Sequence, residues 1–191
     1  MAWLSLLAMI VALAAPSHLA AQGAEVREYR LDASASALNA RVSFFGLSSK
    51  TARFPRIEGQ VAIAPGAPEA ARIRVTIDAR TIEAPDETTL RRLRGEKFFW
   101  VERYPAIRFI GRSLTMRSPT QGTVAGELTA RGVTRPQTLD VTFASDPRTT
   151  SGPITFTGTM EIDRRDYGMR AYQLIVGNTV RIGLEARMVP R

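Results

Sequence analysis

Alternation of apolar and polar residues, repeated in one segment after another, constrains this chain more than any other feature of its sequence. In the clearest segment, residues 71–79, alanine, isoleucine and valine alternate with arginine, threonine and aspartate. Residues 180–188 repeat the pattern near the C-terminus. A period of two residues is typical of a strand with one buried and one solvated face. The sequence therefore predicts an all-β protein.

About nine strands are predicted in this way, and turn-forming residues separate them at 64–66, 120–122, 146–147 and 177–178. The predicted strands are residues 26–31, 38–44, 57–63, 71–79, 107–115, 124–130, 139–143, 154–162 and 180–188. Residues 86–97 break the pattern. They follow Pro85 and begin with the acidic pair Asp86 and Glu87, which predicts one short helix. Strands with one apolar face must bury it, and alternation alone leaves a sandwich and a closed barrel of about eight strands equally open.

The N-terminal residues predict export. Residues 4–15 form a short apolar run that Pro16 ends, and small residues follow at Ala20 and Ala21. This pattern is typical of a secretory signal peptide over residues 1–21, with an uncleaved N-terminal anchor as the alternative. Residues 22–191 then form one predicted domain, located in the periplasm or secreted.

The absence of cysteine, together with a single histidine, excludes many kinds of site. His18 lies within the predicted signal peptide, so the mature chain has neither residue type. Nucleophilic sites of the Ser-His-Asp or Cys-His kind, and zinc sites with His or Cys ligands, are therefore excluded. The carboxylates Asp78, Glu102, Asp140 and Asp163 show no paired spacing on one apolar wall. We expect no catalytic residue, metal or cofactor.

Arginine dominates the charge of the protein, whose formal net charge is +8 with 26 basic and 18 acidic residues. The basic residues are interleaved with acidic ones along the predicted strands and form no basic block. This distribution favours a solvated exterior over a nucleic-acid surface. An exported basic protein meets anionic lipid headgroups first, so transient contact with a membrane surface is a partner hypothesis.

Four blocks of residues occur in a fixed order along the chain. The first is the strand 72–79, and the second is Phe98-Phe99-Trp100-Val101-Glu102-Arg103-Tyr104-Pro105. The third, residues 126–143, contains Gly-Val-Thr-Arg-Pro at 132–136. The fourth is Asp163-Arg164-Arg165-Asp166-Tyr167-Gly168-Met169. In this order the blocks resemble the YceI-like family of small exported or periplasmic proteins.

That resemblance extends from Leu31 to the end of the chain and implies a barrel, not a sandwich. It implies an extended antiparallel lipocalin-like barrel whose tunnel holds a polyisoprenoid, an isoprenoid quinone or a similar lipid, without catalysis. A homodimer stays open as a further partner hypothesis. Two positions depart from the family: Phe45-Gly46-Leu47 stands where relatives commonly have His-Leu-Gly, and Arg131 stands where they commonly have His. Ligand headgroup choice could differ for that reason.

The candidate ligand-binding residues are inward-facing strand residues together with aromatic residues near the helix. They are Val42, Phe44, Val61, Val75, Ile77, Phe98, Phe99, Tyr104, Phe109, Leu128, Phe143, Phe156, Met160 and Tyr167. The aromatic residues at 98–104 predict either the rim of a tunnel or a plug at one barrel end. Residues 163–166 predict a charged turn before Tyr167 and Gly168, where Gly168 supplies an unusual backbone angle. The alternative is an arginine of this turn that meets a ligand oxygen.

Two other functions are compatible with the sequence. An enzyme acting on a hydrophobic substrate in the same cavity would need an isolated carboxylate or tyrosine facing the apolar interior, with a perturbed pKa. A small outer-membrane barrel would turn its apolar face to lipid. The many arginines on the polar face argue against the second function, because a narrow lumen solvates them poorly.

Overall fold

The computed structural model describes residues 26–64 and 67–191. The signal peptide predicted for residues 1–21 lies outside the described residues, and so do Pro65 and Gly66 of the first predicted turn. No helix within the described ranges is long and apolar enough to cross a bilayer.

Ten strands and one α-helix make up the described chain. The strands are β1 (Arg27–Leu31), β2 (Ala37–Phe44), β3 (Ser48–Arg53), β4 (Ile57–Ala64), β5 (Ala67–Asp78), β6 (Ala106–Met116), β7 (Gln121–Ala130), β8 (Val133–Phe143), β9 (Ile154–Asp163) and β10 (Val176–Pro190). The helix α1 (Glu87–Arg94) lies between β5 and β6, inside the range predicted for it.

The ten strands close into an antiparallel barrel of eight staves, because four of the strands pair up end to end as two interrupted staves. β1 and β2 form one stave, broken by a 3-10 turn at Ala33–Ala35. β4 and β3 form its neighbour, broken by residues 54–56, where Pro55 cannot donate to a ladder. β10 closes the ring, since it pairs with β9 on one side and with β2 and β1 on the other. The predicted barrel of about eight strands with one short helix is thus confirmed.

Alternation places the apolar residues inside the barrel. In β5, Ala71 and Ile77 are buried, while Arg72 and Arg74 are exposed. The same alternation in β10 exposes Arg181 and buries every second residue toward the C-terminal end. An outer-membrane barrel needs the opposite orientation, with apolar side chains facing lipid.

The interior has two unlike halves. At the end where β1 meets the C-terminal part of β10, large side chains fill the barrel, and the Phe143 and Phe156 rings lie 5.6 Å apart. Tyr29, Leu114 and Met188 are each less than 5% exposed in this half. The other half, beneath α1, is hollow.

A pair of glycines brings β6 and β7 close together near the middle of the barrel. Gly111 lies opposite Gly126 in the register, and a Cβ at Gly126 would lie 2.9 Å from Cζ of Phe109 and clash with the carbonyl oxygen of Ile110. We expect Gly126→Ala to lower the free energy of unfolding by about 1–3 kcal/mol because of this overpacking. Gly183→Ala is the matched control, since a Cβ there meets nothing within 4 Å. Denaturant unfolding should show the control unchanged or more stable by up to about 1 kcal/mol, and equal effects would contradict the packing.

Two local predictions need correction. β3 was not predicted, because Ser48–Arg53 lacks the large apolar residues that would show alternation. The strand predicted at 139–143 begins earlier than expected, because the turn before it is only Arg131 and Gly132, with φ values of 50° and 74°. Positive φ at both central residues is the geometry of a two-residue hairpin turn. Residues from Val133 onward already belong to β8.

Candidate functional site

The hollow half of the barrel contains a cavity of about 220 Å³. One water needs only about 10–15 Å³ on this measure, so side chains leave a large part of the interior unfilled. Its apolar wall consists of Leu38, Ala40, Val42, Phe44, Ala52, Phe54, Ile57, Val75, Ile77, Leu93, Phe98, Phe99, Ile107, Phe109, Leu128, Ala130, Leu139, Met160, Ile162, Met169, Ile175, Val176, Val180, Ile182 and Leu184. The other lining residues are Lys50, Thr51, Thr89, Arg92, Arg164 and Tyr172. Such a wall matches a mostly hydrocarbon molecule.

Nine of the fourteen candidate residues line this cavity. They are Val42, Phe44, Val75, Ile77, Phe98, Phe99, Phe109, Leu128 and Met160. They come from five strands and from the segment after α1, and the barrel brings them to one space. Their contact with a ligand stays a prediction.

The other five candidates lie elsewhere. Val61, Phe143 and Phe156 belong to the filled half or its edge, where they pack against other side chains. Tyr104 contacts Trp100 edge-to-face at 5.8 Å between ring centroids. Tyr167 is fully buried behind the cavity wall. Alternation identifies a side chain as inward-facing, but it does not tell which half of the barrel is hollow.

The aromatic segment at 98–104 divides into two parts. Phe98 and Phe99 line the cavity, and Phe99 meets Phe54 edge-to-face at 5.7 Å. Trp100 and Tyr104 are outside it, and the guanidinium of Arg103 lies over both rings at 4.8 and 5.4 Å. The first pair therefore forms part of the wall, and the second packs beside the barrel.

Helix α1 covers the hollow half as a lid. Its N-cap residue Asp86 accepts a hydrogen bond of 2.7 Å from the Thr89 backbone, which satisfies an N–H at the helix start. The Lys50 ammonium on β3 donates to Asp86 at 2.7 Å and to the Thr89 hydroxyl at 2.8 Å. The hydrogen bond from Lys50 is the largest reason that the pKa of Asp86 is strongly lowered. These contacts hold the helix against the edge of the barrel, where Leu93 enters the wall.

Arg164 is the one buried charged residue among those described, with 2% exposure. Its Nη1 donates to the carbonyl oxygens of Met169 (2.5 Å) and Ala171 (2.8 Å). Its Nε and Nη2 donate to Gly177 and Val176, each at 2.9 Å. Burial lowers the pKa of this guanidinium, and the charge of Asp163 opposes the shift. Since the backbone takes four of its five N–H groups, the geometry favours a structural role over contact with a ligand oxygen.

The rest of the charged turn has the conformation of a capped 3-10 turn. Gly168 has φ of 76°, the unusual backbone angle expected there. Asp163 pairs with exposed Arg165 at 2.5 Å, so its carboxylate is turned away from the interior. Arg131 reaches across from the β7–β8 turn and donates to the carbonyl oxygens of Gly168 and, at 2.8 Å, of Glu96. At this departure from the family pattern, the side chain joins two loops.

An enzyme acting in this cavity would need a titratable group that faces it. No Asp or Glu is among its lining residues within the described chain. The pKa of Tyr167 is raised by burial, but its hydroxyl accepts a hydrogen bond of 3.1 Å from Gln137 outside the cavity. No group of three or more His, Cys, Asp or Glu residues that could hold a metal ion occurs in residues 26–64 and 67–191.

Many wall residues were not among the candidates. Leu38 and Ala40 precede Val42 and Phe44 in the same phase, and Val180, Ile182 and Leu184 alternate along β10. The same period-two signal could have identified all five. Met169, Tyr172 and Ile175 lie in a loop, where periodicity gives no signal.

Comparison with known proteins agrees with this architecture. A UPF0312 protein of Pseudomonas putida is 25% identical over 156 residues, which cover 80% of this chain and 81% of that protein. BcnA of Burkholderia cenocepacia superposes with a TM-score of 0.73 at 22% identity, over 82% of this chain and 98% of that one. A polyisoprenoid binding domain from Saccharophagus degradans, implicated in plant cell wall breakdown, has a TM-score of 0.65 at 19% identity, over 85% and 98%. A family model for the YceI-like domain matches residues 29–188, and the protein therefore belongs to the YceI-like domain family that its sequence motifs indicated.

Proposed function

We propose that this protein binds a long-chain apolar lipid of the polyisoprenoid or isoprenoid-quinone type and sequesters or carries it. The observation that carries the proposal is the hollow, apolar half of the barrel beneath α1. Catalysis is not part of the proposal, because no described lining residue is a carboxylate.

The hydrophobic effect is sufficient for binding of this kind. Each buried CH₂ group contributes about 0.8 kcal/mol, so one five-carbon unit contributes roughly 4 kcal/mol before the cost of ordering the chain. A few units would give tight binding. Met160 in the wall is flexible and polarizable, which suits a site that accepts chains of different shapes.

The structural relative from Saccharophagus degradans supports the lipid class, since that domain is a polyisoprenoid binding domain of the same fold. The signal-like N-terminus supports a location in the periplasm or outside the cell. An exported protein with an apolar cavity could keep a lipid out of water during transfer between membranes. Transient contact with a membrane surface belongs to this proposal.

Co-purification tests the proposal. The protein should be purified without detergent from its native host, and its bound molecules identified by native mass spectrometry and by organic extraction. Ala40→Phe adds a phenyl ring at a half-buried wall position, where it takes the space of about one five-carbon unit. We expect the variant to fold and to retain at least about tenfold less lipid. A loss of about 1.4 kcal/mol in binding free energy is enough for that reduction.

Ala125→Phe is the matched control, because it adds the same ring on the exposed outer face of β7. It should retain as much lipid as the unchanged protein. Wild-type protein without lipid, or Ala40→Phe protein that holds as much lipid as the control, would contradict the proposed function.

A further inference from the structure

Exposed large apolar side chains are concentrated at one end of the barrel. Within the described chain, five large hydrophobic residues are exposed, and four of them lie in two loops. Phe45 and Leu47 follow β2 with 60% and 96% exposure, and Tyr172 and Leu174 precede β10 with 38% and 98% exposure. We call residues 45–47 and 170–175 the mouth loops. Exposed leucines at this level on neighbouring loops are typical of an interaction site.

The mouth loops contact each other directly. The Phe45 backbone N–H donates to the carbonyl oxygen of Ile175 at 2.7 Å, and Phe44 pairs with Val176 where β2 meets β10. The Phe44 and Phe45 rings also meet edge-to-face at 4.7 Å. The four exposed side chains therefore belong to one surface.

That surface lies beside the entrance to the cavity. Of the residues that line the cavity, only Arg92 and Tyr172 are exposed, which places its opening at α1 and the second mouth loop. Phe44, which precedes the first mouth loop, and Ile175, the last residue of the second, are themselves lining residues. A guest that enters the cavity at this opening passes the second mouth loop.

Positive charge surrounds the same entrance. Lys50 lies 5.1 Å from the centroid of the Phe44 ring, and Arg92 and Lys97 lie 5.3 and 5.7 Å from the centroid of the Tyr172 ring. Lys50 is paired with Asp86, but Arg92 and Lys97 form no ion pair within the described chain. Residues 84–97, the mouth loops and Lys50 together contain six cationic and three acidic residues: Lys50, Arg91, Arg92, Arg94, Lys97 and Arg170 against Asp86, Glu87 and Glu96.

From these observations we infer that the mouth loops dock the protein on an anionic lipid surface, with Leu47 and Leu174 inserted among the lipids and the cations against the headgroups. Protruding apolar tips within a ring of Lys and Arg match an interfacial anchor, which combines apolar burial with attraction to anionic lipid. A continuous apolar groove would instead favour a protein partner. The inference deepens the proposed function, because docking would bring the cavity entrance to the place where a lipid leaves the bilayer.

Vesicle flotation tests the docking surface. The probe is vesicles of phosphatidylcholine with about a third phosphatidylglycerol, compared with phosphatidylcholine alone, and the mature chain is used. We expect the protein to bind the anionic vesicles, and we expect this binding to weaken as the ionic strength rises. Leu47→Ser/Leu174→Ser should bind at least about tenfold more weakly, because it loses the apolar burial of both leucines. Arg92→Ala/Lys97→Ala should bind the anionic vesicles more weakly than wild type and should bind vesicles of phosphatidylcholine alone as wild type does. Val26→Ser is the control, since Val26 is 61% exposed and precedes β1 at the opposite barrel end.

Wild-type protein that does not float with anionic vesicles, or a double leucine variant that floats like wild type, would overturn the docking surface. The docking surface would also be overturned if the wild-type protein formed a dimer and did not bind vesicles, and if Leu47→Ser/Leu174→Ser abolished that dimer. The lipid content of each variant separates the two proposals. Vesicle binding by protein that never carries lipid would uphold docking and overturn the proposed function alone.

Discussion

Replacement of Arg164 by leucine is expected to lower the free energy of unfolding by about 3–5 kcal/mol. The guanidinium satisfies four backbone carbonyl oxygens in the segment 169–177. A buried acceptor that loses its donor costs about 1–3 kcal/mol, and the partly exposed acceptors of this set can recover some of that cost with water. Chemical denaturation followed by circular dichroism would measure the loss.

Two further variants make this expectation specific. Arg164→Lys should also be clearly destabilised, since an ammonium has three donors and cannot reach four carbonyls in a plane. Arg165→Ala should change stability by no more than about 1 kcal/mol, because the adjacent arginine makes an exposed pair with Asp163. If Arg164→Leu changed the free energy of unfolding as little as Arg165→Ala, the hydrogen bonds of Arg164 would not be what holds the segment 169–177.

Phe109→Asp and Phe143→Asp are each expected to prevent folding at neutral pH. Phe109 is 6% exposed and Phe143 is 9% exposed. Loss of a buried phenyl ring costs about 3–5 kcal/mol, and an unpaired carboxylate in an apolar interior adds several more. The total approaches the 5–15 kcal/mol that stabilises a typical domain. Expression in soluble form and near-ultraviolet circular dichroism would show the outcome.

The pH dependence of these two variants has a definite sign. Burial raises the pKa of the new carboxyl group in the folded state above its unfolded value of about 3.9. Stability is therefore greatest when the group is protonated below that value and falls as the pH rises. Stable protein with full lipid retention in both variants would show that these side chains do not face the interior.

Milder substitutions separate the two halves of the barrel. Phe109→Leu changes the wall of the cavity, whereas Phe143→Leu changes the filled half next to Phe156. Both should remain folded, and only the first should alter the amount of bound lipid. Equal effects on lipid retention would contradict the division of the interior.

The strand pattern was predictable because the period of two residues is a local property. Each segment that alternates must present one apolar face, and the barrel buries that face as in β5 and β10. β3 escaped prediction, since a short polar segment shows no alternation and forms a strand only because β2 pairs with it. The helix was predictable from Asp86 and the acidic first turn, which are also local.

Three features are readable from the order of residues alone: the apolar inner faces of the strands, the short helix after β5, and the motifs of the YceI-like family. Which half of the barrel is hollow follows from the three-dimensional fold alone, because Phe109 at the cavity and Leu114 in the filled half are both buried residues of the same strand. The fold also sets the partners of Arg164, which lie in the loop before β10 and at the start of β10, up to thirteen residues away. Empty space and long-range hydrogen bonds depend on which distant segments meet, and periodicity within one segment carries no information about that.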